Sequence, residues 1–401
     1  MDNYPLSQRA RSLSASPTFA MLQKTTELKA QGIDIISLSV GEPDFNTPQN
    51  IKDAAKRAVD QNYSKYSPVP GYMELRKAVC KKLLRENNLQ YEPQQIIVTN
   101  GGKQAVCQTI MALVDKGEEV LIPTPYWVSY PEMVKLAEGT PVFIETTIDQ
   151  DFKITPQQLE QAITKQTKAI ILCSPSNPTG SVYSHDELQA LAEVLMRHPQ
   201  VFILSDEIYE HINYVGRHES LSQFEALRDR VIILNGVSKG YAMTGWRIGW
   251  LAAPAWLAKA VNTIQGQLTS GPCSVAQKAA EWAYTDDDQS SVEQMRQAFE
   301  RRRDLVCRLV ADIPGLRANR PEGAFYIFPE CKSYFGKTTA DGRKIENADQ
   351  LAMYLLEVAH VATVAGTGFG APDYIRMSYA NSEENITEGF RRIKQALDEL
   401  H

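Results

Sequence analysis

The stretch VIILNGVSKGYAMTGWRIGW, residues 231–250, starts as an unbroken apolar run and continues with glycines, small residues and two cations. Its first seven residues are rich in Val, Ile and Leu, a pattern that predicts a short buried strand. Lys239 and Arg247 follow in an apolar, glycine-rich setting, although long charged side chains usually remain in water. We therefore expect these two cations to serve a binding site rather than a solvated surface.

Four further segments share the character of residues 231–237, and helical patterns lie between them. The helical patterns cover 101–117 and 184–198, and the second opens with a capping box of Ser184 and Glu187. This alternation of strands and helices predicts an α/β domain with a largely parallel sheet. The other predicted strands are 119–125, 140–147, 168–175 and 201–207.

The length of 401 residues exceeds the size at which one hydrophobic core stops growing, about 250–300 residues. The pattern changes near residue 295, where a long charged amphipathic helix is predicted over 292–313. We predict a large domain at 46–295 and a smaller α+β domain at 296–401. Because residues 1–45 precede the strand–helix alternation, we expect them to form an arm that packs on the small domain.

Composition and charge narrow the classes of function. A net charge of −6 with no basic block disfavours nucleic acid and anionic membranes as partners. The longest apolar runs are far shorter than the ~20 residues of a membrane span, and the N-terminus lacks the apolar core of a signal peptide. Six scattered cysteines without a C-x-x-C pair are typical of a reducing compartment, so we predict a cytoplasmic protein without a metal site.

Polar side chains directly follow three of the predicted strands: Asn177, Asp206, Tyr209 and Lys239. Because ligands of open parallel sheets bind at the carboxyl ends of the strands, we expect these side chains to meet at one edge. Taken alone, each has a structural alternative, since Asn177 lies in an NPTG turn and Asp206 could cap a helix. Four such residues at one sheet edge predict a ligand site.

An anion-binding corner is predicted at residues 98–106, VTNGGKQAV, where a strand leads through two glycines into a helix. Free N–H groups at Gly101 and Gly102 and the positive helix end suit a phosphate, and Ser238 and Arg247 would add donors. On its own the Gly-Gly turn is weak evidence for an anion. A lysine amine, a carboxylate and a phosphate corner together fit pyridoxal phosphate as a cofactor.

Pyridoxal phosphate gives each of these residues a chemical role. Lys239 would form a Schiff base with the cofactor aldehyde, and an apolar setting would help by lowering the pKa of its amine. Asp206 would pair with the pyridinium nitrogen and keep it protonated. The other predicted contacts are Asn177 and Tyr209 with the ring hydroxyl oxygen, Trp127 with the ring face, and Gly101, Gly102, Lys103, Ser238 and Arg247 with the phosphate.

Two of the candidate residues admit a second interpretation from the residues alone. Trp127 could be a core tryptophan instead of a stacking partner for the cofactor. Arg376 lies in an otherwise apolar strand pattern, where it could bind the α-carboxylate of an amino acid or stand as an exposed edge charge.

Nine segments of the chain, in order, resemble those of class I aminotransferases of the fold-type I pyridoxal-phosphate family. They are SLSVGEPDFNTP, YSPVPGYMELRKAV, VTNGGKQAV, PTPYWVSYPEM, SPSNPTGSVY, SDEIYEHI, NGVSKGYAMTGWRIGW, PEGAFYIF and IRMSYANSEEN. The resemblance is nearest to bacterial aspartate aminotransferases of the aspartate/prephenate subgroup. It implies a large domain with a mostly parallel seven-stranded sheet flanked by helices, a smaller α+β domain, and an obligate homodimer with shared active sites.

The resemblance also implies an activity: amino transfer from L-aspartate to 2-oxoglutarate, giving oxaloacetate and L-glutamate in two half-reactions. Aromatic amino acids, alanine, kynurenine or prephenate are alternative substrates, and a non-catalytic regulatory or scaffold role is an alternative of another class. Members that use prephenate often carry a basic residue where Ser14 stands, which favours aspartate. The complete set of catalytic residues favours an enzyme.

Further site residues are implied by the resemblance alone. Lys239 would also move the proton between the substrate α-carbon and the cofactor. Lys103 would bind the distal carboxylate of a dicarboxylic substrate, and Thr18 would lie in the segment that closes over it. Tyr66 would reach the cofactor phosphate of the other subunit. The α-carboxylate would be held by Gly41, Trp127, Asn177 and Arg376.

Overall fold

The computed structural model describes residues 5–401, apart from the side chains of Pro17 and Phe19. Within these residues the chain forms twelve strands and thirteen α-helices. The strands are β1 (Ile36–Ser37), β2 (Ile96–Thr99), β3 (Glu119–Pro123), β4 (Thr140–Ile144), β5 (Thr167–Cys173), β6 (Phe202–Asp206), β7 (Val231–Gly236), β8 (Gly249–Ala252), β9 (Tyr326–Ile327), β10 (Val361–Ala362), β11 (Val364–Ala365) and β12 (Ile375–Ser378). The helices are α1 (Gln8–Arg11), α2 (Pro17–Ala30), α3 (Gln49–Asp60), α4 (Met73–Asn87), α5 (Gly102–Leu113), α6 (Tyr130–Leu136), α7 (Pro156–Ala162), α8 (His185–Arg197), α9 (Ala255–Leu268), α10 (Ser274–Thr285), α11 (Ser290–Ala311), α12 (Ala348–Glu357) and α13 (Glu383–Asp398).

The largest sheet has seven strands in the order β2–β8–β7–β6–β5–β3–β4. Strands β3 to β7 run parallel to one another, and β8 runs antiparallel to both of its neighbours. The predicted α/β class with a mostly parallel sheet is therefore confirmed, and all five strands predicted from apolar runs are present as β3 to β7. The sequence pattern does not predict β8, because its four residues continue a glycine-rich stretch.

Strand β7 is buried on both faces, which explains its apolar sequence from Val231 to Leu234. Ile232 and Leu234 pack with helices α5 and α9 on one face of the sheet. Val231 and Ile233 point to the opposite face of the sheet. There Val231 packs with α8, and Ile233 packs with α4 and α10. Helices on both faces leave every residue of the strand buried, as is typical of parallel sheets.

A second core forms from the C-terminal part of the chain. Its antiparallel sheet has the order β11–β12–β9, and helices α11, α12 and α13 pack around it. Strand β1 pairs in parallel with β10, with Ile36 opposite Val361, so part of the N-terminal segment lies on this unit. Helix α11 runs unbroken across residue 295, and the predicted domain boundaries stay a prediction.

Local signals set the ends of the helices. Ser184 accepts a hydrogen bond from the Glu187 N–H, and the Glu187 carboxylate accepts one from the Ser184 N–H, which confirms the capping box at α8. Helix α5 ends at Leu113, earlier than predicted, because Val114 adopts an extended conformation.

In the part of the chain that the structure describes, no helix is both long enough and apolar enough to cross a bilayer.

Leu195 and Met196 are neighbours in α8 that differ in burial, with exposed fractions of 0% and 42%. We expect Leu195→Ala to lower the free energy of unfolding by about 2–5 kcal/mol, because it leaves a cavity in a packed core. Met196→Ala should change it by about 0.5 kcal/mol or less. Urea unfolding followed by circular dichroism measures both variants, and equal losses would contradict the assignment of this helix face to the core.

Candidate active site

A cavity of about 500 Å³ lies at the carboxyl ends of β5, β6 and β7. Its walls come from these strand ends, from the start of α5, from residues 40–42 and from β12. The fold thus brings together the large sheet, the N-terminal segment and the C-terminal unit. Twelve of the predicted site residues line this cavity: Thr18, Gly41, Gly102, Lys103, Trp127, Asn177, Asp206, Tyr209, Ser238, Lys239, Arg247 and Arg376.

Two other predicted residues do not line the cavity. Gly101 lies directly behind Arg247, and a Cβ atom on this glycine would collide with the guanidinium. Tyr66 lies just before α4 and is 98% exposed. Its predicted contact is with another subunit, and that contact stays a prediction.

Lys239 lies just beyond β7, and its amine is enclosed in the cavity. Its Nζ donates a hydrogen bond to the Gly41 carbonyl at 2.6 Å and lies 5.7 Å from the centroid of the Tyr209 ring. Burial lowers the pKa of Lys239 to about 8, and the carboxylate of Glu42 opposes that shift only in part. A large fraction of the amine is therefore neutral at slightly alkaline pH, and the neutral form is the basic and nucleophilic one.

Asp206 ends β6 and is almost completely buried. Its Oδ2 accepts a hydrogen bond from the Tyr130 hydroxyl at 2.6 Å, and its Oδ1 accepts one from the Ile208 N–H at 3.3 Å. Burial raises the pKa of Asp206 to about 6, against the opposing effect of the Tyr130 hydrogen bond. Most of this carboxyl is ionised at pH 7, so it can pair with a protonated ring nitrogen.

Arg376 is 2% exposed, which rules out the exposed edge charge that its sequence context also allowed. Its Nη1 donates to Asn177 Oδ1 at 3.0 Å and its Nη2 to the Ser39 carbonyl at 2.7 Å. The guanidinium lies over the rings of Tyr326 and Phe369. Its Nε has no hydrogen-bond partner, and no carboxylate of the described chain pairs with it. A buried guanidinium without a counter-ion, placed in a cavity wall, is suited to bind a carboxylate.

The start of α5 and the neighbouring Arg247 form a corner suited to a phosphate. Gly101 has a φ of +79°, and Arg247 lies in the left-handed region with a φ of 56°. Arg247 Nη1 donates to the Thr244 carbonyl at 2.8 Å, which orients the guanidinium. Gly249 lies so close to the backbone at the start of α5 that a Cβ atom there would collide with it. Together with the buried Ser238 hydroxyl, these N–H groups and this guanidinium can hold a dianion.

Lys103 and Trp127 lie on the same wall of the cavity. The Nζ of Lys103 is 5.0 Å from the centroid of the Trp127 ring. Burial lowers the pKa of Lys103, and the guanidinium of Arg247 lowers it further. Trp127 is half-buried and lines the cavity, so it is available to a ligand in a way that a core tryptophan is not.

Asn177 and Tyr209, the predicted partners of the ring hydroxyl oxygen, are both buried and held by neighbours. Asn177 follows β5 and accepts the hydrogen bond from Arg376. The Tyr209 hydroxyl lies 2.8 Å from the hydroxyl of Tyr326. Thr18, in α2, also lines the cavity.

The cavity also contains residues that sequence reasoning did not identify. Tyr130 and Tyr326 lie inside two of the quoted segments, but an aromatic residue in an apolar pattern carries no signal of its own. Glu42 follows the predicted Gly41, and its carboxylate accepts a hydrogen bond from the Thr244 hydroxyl at 2.9 Å. These roles arise from contacts between distant segments, so local spacing does not reveal them.

A buried ionic network lies beside the site, on residues that follow β6. Glu210 pairs with Lys82 of α4, which is fully buried. Burial alone would raise the pKa of Glu210, but Lys82 and nearby histidines outweigh that effect and bring it to about 2. Glu207 lies 3.0 Å from His218 Nε2. Burial alone would lower the pKa of His218, but the Glu207 carboxylate outweighs burial and raises that pKa. In this network each buried charge has a partner, in contrast to Arg376.

Comparison with known proteins places the chain in a family. It matches Aminotransferase class I and II over residues 33–393. It is 49% identical over 391 residues to the aspartate/prephenate aminotransferase of Cereibacter sphaeroides, covering 97% of this chain and 98% of that protein. It is 47% identical over 395 residues to the aspartate aminotransferase of Geobacillus stearothermophilus, covering 98% of this chain and 99% of that protein.

Two solved structures extend the likeness to three dimensions. The aspartate aminotransferase of Rhizobium meliloti has a TM-score of 0.96 at 42% identity, covering 100% of each chain. The aspartate aminotransferase of Thermus thermophilus with maleate has a TM-score of 0.92 at 41% identity, covering 98% of this chain and 100% of that chain. The fold and the cavity therefore define a fold-type I transferase that uses pyridoxal phosphate. The chain belongs to the class I and II aminotransferase family.

The lowered pKa of Lys239 is open to direct measurement in the cofactor-free protein. After reductive methylation with ¹³C-formaldehyde, we expect one lysine methyl NMR signal, besides that of the N-terminal amine, to titrate near pH 8. The amine is charged below this pH and neutral above it, because burial disfavours the ammonium form. Lys239→Ala identifies this signal by its loss. A midpoint at the ordinary lysine value of ~10.4 would contradict the burial of the amine.

Proposed function

We propose that this chain transfers the amino group of L-aspartate to 2-oxoglutarate, giving oxaloacetate and L-glutamate in two half-reactions. The observation that carries the proposal is the presence of Arg376 and Lys103 in one cavity with Lys239. Both substrates are dicarboxylates, and two separate cations match their two carboxylates. The relatives named aspartate aminotransferases support this choice, as does the solved Thermus thermophilus enzyme with maleate, which is itself a dicarboxylate.

The residues present fit pyridoxal phosphate. Arg247, Ser238 and the N–H groups at the start of α5 would hold its phosphate. Side chains at Gly101 and Gly249 would collide with the Arg247 guanidinium and with the backbone at the start of α5, so this corner requires glycine at both positions. The ring would lie against Trp127, with Asp206 at its nitrogen and Asn177 and Tyr209 at its hydroxyl oxygen. When bound, the cofactor withdraws electrons from the substrate α-carbon and so weakens the C–H bond there.

Lys239 acts as the general base in this proposal. Its neutral amine takes the proton from the substrate α-carbon at Nζ. A pKa of about 8 lies near the operating pH of an intracellular enzyme, which is where a general base works best. The Gly41 carbonyl accepts a hydrogen bond from Nζ and so orients the amine in the absence of substrate.

Two cations would fix the orientation of the substrate. Arg376, held by Asn177, would bind the α-carboxylate, with Gly41 completing that contact. Lys103 would bind the distal carboxylate, and Thr18 would lie in the segment that covers it. The α-hydrogen would then point to the amine of the general base, which is the positioning that a proton transfer requires.

We also propose that the chain forms a homodimer with shared active sites and that it is located in the cytoplasm. Tyr66 supports the dimer, since a tyrosine that is 98% exposed in the single chain is suited to a contact with a second copy. Its hydroxyl would reach the phosphate bound by that copy. The six cysteines support a reducing compartment, because all six are free in the structure.

Lys239 and Arg247 should fail in different ways when alanine replaces them. Lys239→Ala removes the base, so the turnover of aspartate should fall by about 10²–10⁴-fold or more and should not recover with added cofactor. Arg247→Ala removes a phosphate ligand and should weaken cofactor retention by about tenfold or more, with turnover largely restored by excess pyridoxal phosphate. Equilibrium dialysis and a coupled oxaloacetate assay measure the two effects. Turnover of Arg247→Ala that excess cofactor does not restore would contradict its assignment.

Lys103→Ala tests which substrates the second cation selects. Single-turnover rates with L-aspartate and L-glutamate should fall about tenfold or more, because a lost hydrogen bond to a charged group costs about 1.5–3 kcal/mol. Rates with L-alanine and L-phenylalanine should change little, whereas the control Arg376→Ala should impair all four. The visible absorption of the bound cofactor reports each rate.

The same panel separates the alternatives. A uniform loss in Lys103→Ala would remove this lysine from substrate selection and would contradict the two-cation basis of the dicarboxylate preference. No change in absorption when the unmodified enzyme meets L-aspartate would show the proposed function to be wrong. Prephenate, offered as the amino acceptor in the second half-reaction, tests the other activity that the names of the relatives suggest.

A further inference from the structure

Tyr130 makes a hydrogen bond that the proposed function does not yet use. It is the first residue of α6, is 2% exposed, and donates from its hydroxyl to Asp206 Oδ2 at 2.6 Å. This distance lies in the range of about 2.5–2.7 Å that is typical of a hydroxyl bound to an ionised carboxylate. The two residues are 76 positions apart in the chain, so the contact depends on the tertiary structure that brings the start of α6 to the end of β6.

The groups that face Asp206 divide into those that favour its charged form and those that oppose it. Burial of Asp206 and the adjacent carboxylate of Glu207 favour the protonated acid. The Cys173 side chain, from the neighbouring strand β5, also lies near Asp206. Tyr130 opposes protonation most strongly, followed by the Ile208 N–H, with a smaller contribution from Lys239. The Tyr130 hydroxyl is therefore the main interaction that stabilises the ionised carboxylate.

Packing fixes the position of this hydroxyl. The Tyr130 N–H donates to the Trp127 carbonyl at 3.0 Å, and the two rings meet edge to face at 5.3 Å. Both residues line the cavity. A ring held on one side by Trp127 and on the other by Asp206 has little freedom to turn, so it presents its hydroxyl to one carboxylate oxygen.

We propose that Tyr130 is a positioning residue for the cofactor: its hydroxyl keeps Asp206 ionised and oriented, so that the proton shared with the cofactor ring stays on the ring nitrogen. The inference rests on the proposed role of Asp206 as the partner of that nitrogen. Donation to a carboxylate favours its charged form and lowers its proton affinity. Without this hydroxyl, the shared proton moves from the ring nitrogen towards Asp206, and the ring withdraws electrons less strongly.

The test measures the ring nitrogen directly in the holoenzyme loaded with ¹⁵N-labelled pyridoxal phosphate. At pH 7–8 the ¹⁵N chemical shift of the unmodified enzyme should be that of a protonated pyridine. In Tyr130→Phe it should move towards the unprotonated value, with the proton equilibrium changed by about tenfold or more. A shift that stays at the value of the unmodified enzyme overturns the inference.

Two controls separate this effect from a loss of stability and from an error in the proposed site. Tyr354→Phe removes another buried tyrosine hydroxyl, which donates to the Ala396 carbonyl at 2.8 Å in the C-terminal unit, and should leave the ¹⁵N shift unchanged. Asp206→Asn should leave the ring nitrogen without its proton, because the amide carries no negative charge. If the ring nitrogen stays protonated in Asp206→Asn, the proposed role of Asp206 is wrong. If the nitrogen loses its proton in Asp206→Asn but keeps it in Tyr130→Phe, only the inference about Tyr130 is wrong.

A second variant keeps the test valid if Tyr130→Phe does not fold. Replacing Tyr130 by 3-fluorotyrosine retains the hydroxyl and makes it a stronger donor. The ring nitrogen should then hold its proton to a higher pH than in the unmodified enzyme. Loss of the proton at a lower pH would contradict the proposed direction of the effect.

Discussion

Burial of the Lys239 amine is the constraint on which the rest of the site depends. A lysine in water has a pKa of ~10.4 and is almost entirely charged at neutral pH, so it is a poor base there. Here the rings of Tyr209 and Phe325 and the Gly41 carbonyl surround the amine, and burial brings its pKa to about 8. The lysine belongs to the large sheet and Gly41 to the N-terminal segment that pairs with the C-terminal unit. The chemistry of the amine therefore requires both units to be packed together.

The parallel sheet sets the positions of the other polar groups in the cavity. In the observed register Cys173, the last residue of β5, lies beside Asp206, the last residue of β6, and Asp206 lies beside Leu234, two residues before the end of β7. Asn177, Asp206 and Lys239 leave the sheet at neighbouring points for this reason. A slip of one residue in any of these strands would turn the side chains to the other face and separate the groups.

Charge is balanced differently inside the cavity and beside it. Lys82 and Glu210 pair with each other behind the site, and such pairing offsets the cost of burying charge. Arg376 has no carboxylate partner in the described chain and rests on aromatic faces instead. A carboxylate of the substrate would complete that balance. Asp206 is the corresponding negative charge. The Tyr130 hydroxyl stabilises this buried carboxylate, and a protonated cofactor ring would neutralise it.

The five parallel strands β3 to β7 and the polar residues that follow β5, β6 and β7 could be predicted from the sequence alone, because the buried strands among them carry apolar runs. Strand β4 lies at the edge of the sheet and is mostly half-buried or exposed. The sequence carried less information about other short strands, such as β1, β8 and β11, whose few residues form no distinct apolar run. The burial of Arg376 follows from the tertiary structure, since β12 is the central strand of its sheet. The tertiary structure alone also revealed Tyr130 beside Asp206. Hydrogen bonds and pKa shifts depend on distances between segments far apart in the chain, and local periodicity does not encode those distances.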